Sequence, residues 1–361
     1  MPKQLLDFVP SVVRDRLGTE NTVCLLSGQD VFLGLCHERM IVMAANPRIS
    51  HVIPGIMRAA QELDAVVAFE LTRTEGGIDG GYTGQTPESF STTVLSYAEA
   101  CGFTKPFIIH ADHVTIRDTS ADELQAAQQL IEAQLAAGFT SYALDASFNP
   151  LSDNISIIQH LARPITEKNF GLEVELGEVS TVGSNSTLTE VAEARDFLSS
   201  LVGKGIRPHL LAIDNGSKSG NYLDGQIVSI DLERTGEIFA LAREFGLAGL
   251  VQHGITGTPL RIVGRLADFG IRKGNIGTLW QNVAHAGLPV ELMDAMRTWS
   301  KENGRDIKYA TAVFKAEIDA IPQENIQLIQ EMAYREAREF LKAFHAQGSA
   351  SKLAASLGKR R

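Results

Sequence analysis

Cysteine is scarce in this chain: Cys24, Cys36 and Cys101 are the only three. They are odd in number and lack metal-knuckle spacing, which excludes a disulfide-stapled scaffold and a cysteine-bound structural zinc and fits a reducing cytoplasm. Long apolar runs are missing too. None approaches the ~20 residues of a membrane span, and residues 1–16 lack the apolar segment of a secretory signal, so no membrane insertion is expected. Positive charge is in deficit, with 33 Lys and Arg against 43 Asp and Glu and a formal net charge of −10. That disfavours a general nucleic-acid-binding surface but leaves room for a local basic pocket for a phosphate. No Pro/Gly/Ser-rich linker or low-complexity block interrupts the 361 residues, which are therefore read as one domain.

Composition is that of a soluble globular protein, 44% apolar and 21% charged. After an N-terminal helical cap over residues 1–36, apolar strand candidates recur at 40–45, 65–71, 107–111, 142–146, 172–176, 210–213, 247–252 and 274–277. Amphipathic segments of helical period separate them, at 51–63, 89–101, 121–137, 154–168, 188–201, 229–245 and 260–269. Eight strands alternating with helices predict an α/β protein of the (β/α)8 TIM-barrel class, with a barrel core over about 38–283 and a C-terminal helical extension over about 284–353. A doubly wound open sheet is the other architecture of this pattern, but it seldom runs to eight unbroken units. In the extension, residues 326–344 carry an apolar stripe of Ile326, Ile329, Ala333, Ala337, Phe340 and Phe344, read as a subunit contact or a closure of the barrel's base.

In a TIM barrel the chemistry sits just past the C-terminal end of each strand. There the sequence places Asn46; Glu70; His110, Asp112 and His113; Asp145, Ser147 and Asn149; Glu173 and Glu175; Asp214, Asn215 and Lys218; His253; and Asn275 and Thr278. In an unbroken strand His110 and Asp112 would share one face and His113 the other, so convergence of all three predicts a strand-to-loop transition near Asp112. Each also has a structural reading: His110 as a satisfied core histidine, Asp145 as a helix cap, and Glu173 and Glu175 as inward charges paired with Lys or Arg. His253 precedes Gly254 and Gly257, glycines that let backbone amides approach an anion.

With these motifs assembled, the chain resembles the class II, metal-dependent ketose-bisphosphate aldolases of the fructose and tagatose type. HADH at 110–113, GFTSYALDAS at 138–147, LEVELGEV at 172–179, DNGSKSGNY at 214–222, QHGITG at 252–257, KGNIGT at 273–278 and FHAQGSASK at 344–352 carry the resemblance. It implies a lyase of carbohydrate metabolism, of the glycolytic kind, in the cytoplasm. The reaction implied is reversible cleavage of a phosphorylated ketose to dihydroxyacetone phosphate and an aldehyde through a metal-stabilised enediolate. His113 and His253 match metal-binding histidines, Glu175 an acidic residue at the metal, and Asp112 the proton-exchanging aspartate. Asn46, Gly220, Gly254, Thr256, Asn275 and Thr278 fall at substrate-gripping positions, and a homodimer or homotetramer is expected.

The sequence also departs from the family. Ser219 stands where a further ligand histidine belongs, so zinc, first by resemblance, competes with manganese or magnesium; Ser219 is then placed with the substrate-binding residues. Glu70 occupies the place of a phosphate-contacting serine and is expected to repel a second phosphate. STVGSNST replaces an acidic loop after the fifth strand. Lys218, beside the missing histidine, offers Schiff-base chemistry instead, and a non-catalytic sugar-phosphate-binding barrel is the third reading.

Overall fold

A computed structural model of the chain describes residues 5–18, 21–177, 188–218 and 230–359. Helices α1 (Ser11–Leu17) and α2 (Gly28–Leu35) form the N-terminal cap. Eight apolar runs then form strands β1 (Val42–Ala45), β2 (Val67–Thr72), β3 (Phe107–Thr115), β4 (Ser141–Asp145), β5 (Gly171–Leu176), β6 (Leu210–Ile213), β7 (Gly249–Gln252) and β8 (Ile271–Ile276). Each pairs in parallel with the next, and β8 returns to β1, so the sheet closes and has no free edge.

The connecting helices are α3 (Ile53–Glu62), α4 (Pro87–Ala100), α5 (Ala121–Ala136), α6 (Leu151–Leu161), α7 (Arg163–Thr166), α8 (Val191–Gly203), α9 (Leu232–Glu244) and α10 (Leu260–Leu266). Their starts are chemically marked. Thr86, Ser120 and Asp231 accept the N–H of Ser89, Glu123 and Arg234 respectively. The single helix expected over 154–168 is instead two, because Pro164 in the first turn of α7 supplies no N–H to continue α6.

The cap plugs the barrel floor. Gly28 N donates to Thr140 O, and a Cβ at Gly28 would lie 2.4 Å from Ser141 Oγ, so only glycine permits this approach. Beyond β8 follow α11 (Thr278–Gly287), α12 (Val290–Asn303), α13 (Ala310–Val313), α14 (Lys315–Asp319), α15 (Gln323–Ala343) and α16 (Ser349–Gly358). The longest of these, α15, lies along α3, where a Cβ at Gly55 would meet Gln330 O at 2.2 Å. Ile329, Ala333, Ala337, Phe340 and Phe344 are all buried within the same chain, so the stripe read as a subunit contact is already covered. Among the described residues no helix is long and apolar enough to cross a membrane.

Candidate active site

At the C-terminal ends of the strands a cleft of about 320 Å³ opens, and β3 crosses its floor. The expected strand-to-loop transition at Asp112 is a bulge instead. Ala111 pairs with Tyr142 and Val114 with Leu144, so Asp112 and His113 together oppose Ala143 alone. His113 absorbs the extra residue with φ +41°, a left-handed conformation uncommon outside glycine. The strand runs on to Thr115, yet Asp112 and His113 both line the cleft.

Asp112 is held between two amides. Asn275 Nδ2 donates to Oδ1 at 2.8 Å and Asn46 Nδ2 to Oδ2 at 3.2 Å. Burial works against its charge, but His113, Lys273 and His253 outweigh burial and hold the carboxyl well below the usual carboxylate range. Asn46 is fixed in turn, because its Nδ2 also reaches Glu75 Oε2 at 3.0 Å. Glu75, which is buried, receives Arg48 Nε at 2.6 Å, Tyr82 OH at 2.9 Å and the Thr72 N–H at 2.9 Å. Although burial would raise its pKa, the Arg48 charge and these donors keep it low.

Opposite, the rings of His113 and His253 lie 4.4 Å apart, centroid to centroid. His113 Nδ1 donates to Asp145 Oδ2 at 3.1 Å, which leaves Nε2 available. Glu175 Oε1 is 2.8 Å from the same Nδ1, but the N–H is aimed at Asp145, so Oε1 accepts no hydrogen bond. Burial disfavours a charged His113, while Glu175, Asp112 and Asp145 together push its pKa well above the ordinary value. Burial, then the carboxylate of Asp145, raises Glu175 to about 8. His253 is only 6% exposed and neither ring nitrogen has a partner. Burial and the nearby His113 push it down to about 3, so it is neutral, the form that binds metals.

Ligand atoms of Asp112, His113 and His253 lie within 4.8 Å of one another, as do those of Glu173, Glu175 and His253. Two imidazoles and a carboxylate fit a divalent cation, which would take the place of the proton that these carboxylates otherwise favour on His113.

Beneath this layer sits a buried polar set. Lys273 Nζ is 2.9 Å from both Glu173 Oε2 and His110 Nε2, and 3.2 Å from Glu70 Oε2. His110 Nε2 accepts from the lysine, so its proton is on Nδ1, donated to Ser141 Oγ at 2.8 Å. His110 and Glu173 thus follow their structural readings. Burial, then Asp112, raises Glu70 well above the carboxylate range, and Glu70 does not line the cleft. The expected repulsion of a second phosphate therefore has no basis, since Glu70 is buried beneath the site, beside Lys273, and does not face the cleft.

The β7 and β8 loops form one wall. Gly254 has φ +68°, and a Cβ there would lie 2.3 Å from Lys218 O, so the loops after β6 and β7 touch main chain to main chain. Thr256 Oγ1 accepts the N–H of Leu279, tying the β7 loop to the first turn of α11. The N-cap residue of that helix, Gly277, has no side chain to cap it, so apart from the Leu279 N–H taken by Thr256 the start of the helix, Gly277 and Thr278, borders the cleft. Arg48 lies over Gly277, where a Cβ would be 3.0 Å from its Nη2.

Of the residues expected from the sequence, Asn46, Asp112, His113, Glu175, His253, Gly254, Thr256, Asn275 and Thr278 all line this cleft. Lys218 is half-buried in the loop after β6 and is not among the lining residues. Ser219, Gly220 and the STVGSNST loop lie outside the described residues. Sequence reasoning missed Glu75, Arg48, Tyr82 and Lys273. Lys273 was findable, because it shares a strand face with Asn275. The Glu75 network comes from a loop whose path no local pattern encodes.

The sequence model of the class-II fructose-bisphosphate aldolases matches residues 29–347. The chain is 24% identical over 230 residues to a fructose-bisphosphate aldolase of Geobacillus stearothermophilus, covering 62% of this chain and 70% of that protein. To a subunit, GatZ, of D-tagatose-1,6-bisphosphate aldolase from Salmonella paratyphi B it is 28% identical over 189 residues, covering 45% and 43%. The crystal structure of the YdjI aldolase of Escherichia coli K12 superposes with a TM-score of 0.63 at 19% identity, covering 89% of this chain and 98% of that one.

Proposed function

Since the chain belongs to the class-II fructose-bisphosphate aldolase family, metal-dependent lyases that act on phosphorylated sugars, we propose that this cleft cleaves a phosphorylated ketose to dihydroxyacetone phosphate and an aldehyde. The observation that carries the reading is the buried, unpartnered imidazole of His253 facing His113 and Glu175. His113, His253 and Glu175 would hold a divalent cation, zinc first and manganese or magnesium next. Such an ion supplies a Lewis acid for the ketose C2 carbonyl and for the charge of the enediolate.

The protein's own groups do the rest. Asp112, ionised and held by two amides, takes the proton of the C4 hydroxyl as the C3–C4 bond breaks and its electron pair moves toward C2. The aldehyde leaves with C4. In the reverse direction the protonated Asp112 returns that hydrogen to the new alkoxide. Asp145 fixes the His113 ring and its tautomer. Gly254, Thr256, Thr278 and the first-turn amides of α11 would bind the phosphate, with the Arg48 guanidinium above Gly277.

Chelator-stripped protein titrated with zinc, manganese and magnesium, with bound ion read by mass spectrometry, tests the assignment. One ion per chain is expected in the wild type, with none in His113→Ala or His253→Ala and loss of aldol turnover in both. Unaltered metal content in the two variants would sink the ligand assignment.

A further inference from the structure

The cleft has two ends, and only the β7/β8 end is accounted for by the phosphate-binding role above. At the other end stand Thr72, Thr74, Thr115, Arg117, Ser147 and Phe148, from the loops after β2, β3 and β4. Two arginines approach this mouth, and one is already neutralised: Arg73 takes both carboxylate oxygens of Glu123, at 2.7 and 3.1 Å. Arg117 has no carboxylate partner for its guanidinium among the described residues, although its own N–H occupies Glu123 Oε1 at 3.1 Å. Its charge lies 5.9 Å from the Phe148 ring, which is 44% exposed at the rim. An unneutralised guanidinium backed by an aromatic wall and fronted by hydroxyls is a receptor for a carboxylate or phosphate oxygen pair.

We infer that Arg117 is a specificity-determining residue that reads a negative charge at the end of the aldehyde partner remote from the bond being made or broken. The inference rests on the aldolase reading, which puts the dihydroxyacetone phosphate half at β7 and β8 and so leaves this end to the aldehyde. The hydroxyls of Thr72, Thr74 and Thr115 meet the intervening polar chain, and Arg117 meets its terminus. A neutral aldehyde leaves the guanidinium hydrated and gains nothing from it.

Metal-reconstituted full-length protein is assayed for condensation of dihydroxyacetone phosphate with glyceraldehyde 3-phosphate, succinic semialdehyde and glyceraldehyde. These supply a phosphate, a carboxylate and no charge. Deuterium exchange into dihydroxyacetone phosphate without aldehyde reports the first half of the chemistry alone. Wild type is expected to favour an anionic aldehyde over the neutral one by ~10- to 100-fold in kcat/KM. Arg117→Gln should cut that ratio by ~10-fold or more through the KM of the aldehyde, and Arg117→Lys should retain part of it. The larger of the two anionic arms tells phosphate from carboxylate. Exchange in the wild type with no preference for an anion, or a preference that survives in Arg117→Gln, overturns this inference alone. Absence of exchange in the wild type overturns the aldolase reading and this one with it.

Discussion

Lys273 Nζ lies 2.9 Å from Glu173 Oε2, with the two side chains 0% and 1% exposed, inside the barrel and directly below the cleft. Burial alone would discharge the lysine, but Glu173, Glu70 and Asp112 raise its pKa above the ordinary value. Lys273→Met therefore strands buried carboxyls without their cation, and a loss of ~3–5 kcal/mol of stability is expected. Urea unfolding measures it. A loss below ~1 kcal/mol would mean the cluster is not held by its ion pairs.

Glu70 makes a pH-dependent prediction. Its folded pKa is raised, so the folded state keeps a proton that the unfolded chain loses at about pH 4.3. From there upward the folded state binds more protons than the unfolded one, and stability falls as pH rises toward the folded pKa. Glu70→Gln, a neutral mimic of the protonated acid, removes that slope. The variant's Tm should exceed the wild type's at pH 8 and match it near pH 4; a large destabilisation at pH 8 would show Glu70 to be ionised and needed by Lys273.

The amide clamp on Asp112 gives a kinetic prediction. Asn46→Ala deletes one of two N–H donors to the carboxylate and loosens its link to Glu75. A hydrogen bond to a charged group is worth ~1.5–3 kcal/mol, so kcat/KM for cleavage should fall ~10- to 100-fold. Removing a donor also raises the Asp112 pKa, and since the base must be ionised, the acidic limb of the pH–rate profile should move to higher pH. A lower kcat/KM with an unmoved limb would assign Asn46 to substrate contact alone.

The barrel was legible because its strands are short apolar runs separated by amphipathic helices, and the upper ring because parity along a strand fixes which residues point inward. Glu175 follows from that rule. His113 does not, since its direction depends on one extra residue in β3 that the letters around it do not announce. The role of Glu70 escaped for a different reason. Its burial, and its approach to Lys273 203 positions along the chain, arise only once the sheet closes. Arg48 and Glu75 lie in loops after different strands and are matched by tertiary approach.

The irregular step in β3 also bears on how such a protein can diversify. The aim of the His113 imidazole is set by ladder bonds on either side of the kink, so the surrounding surface segments can lengthen, shorten or change charge without disturbing it. Selection can therefore trade one aldehyde for another at the mouth while the reactive centre stays as it is.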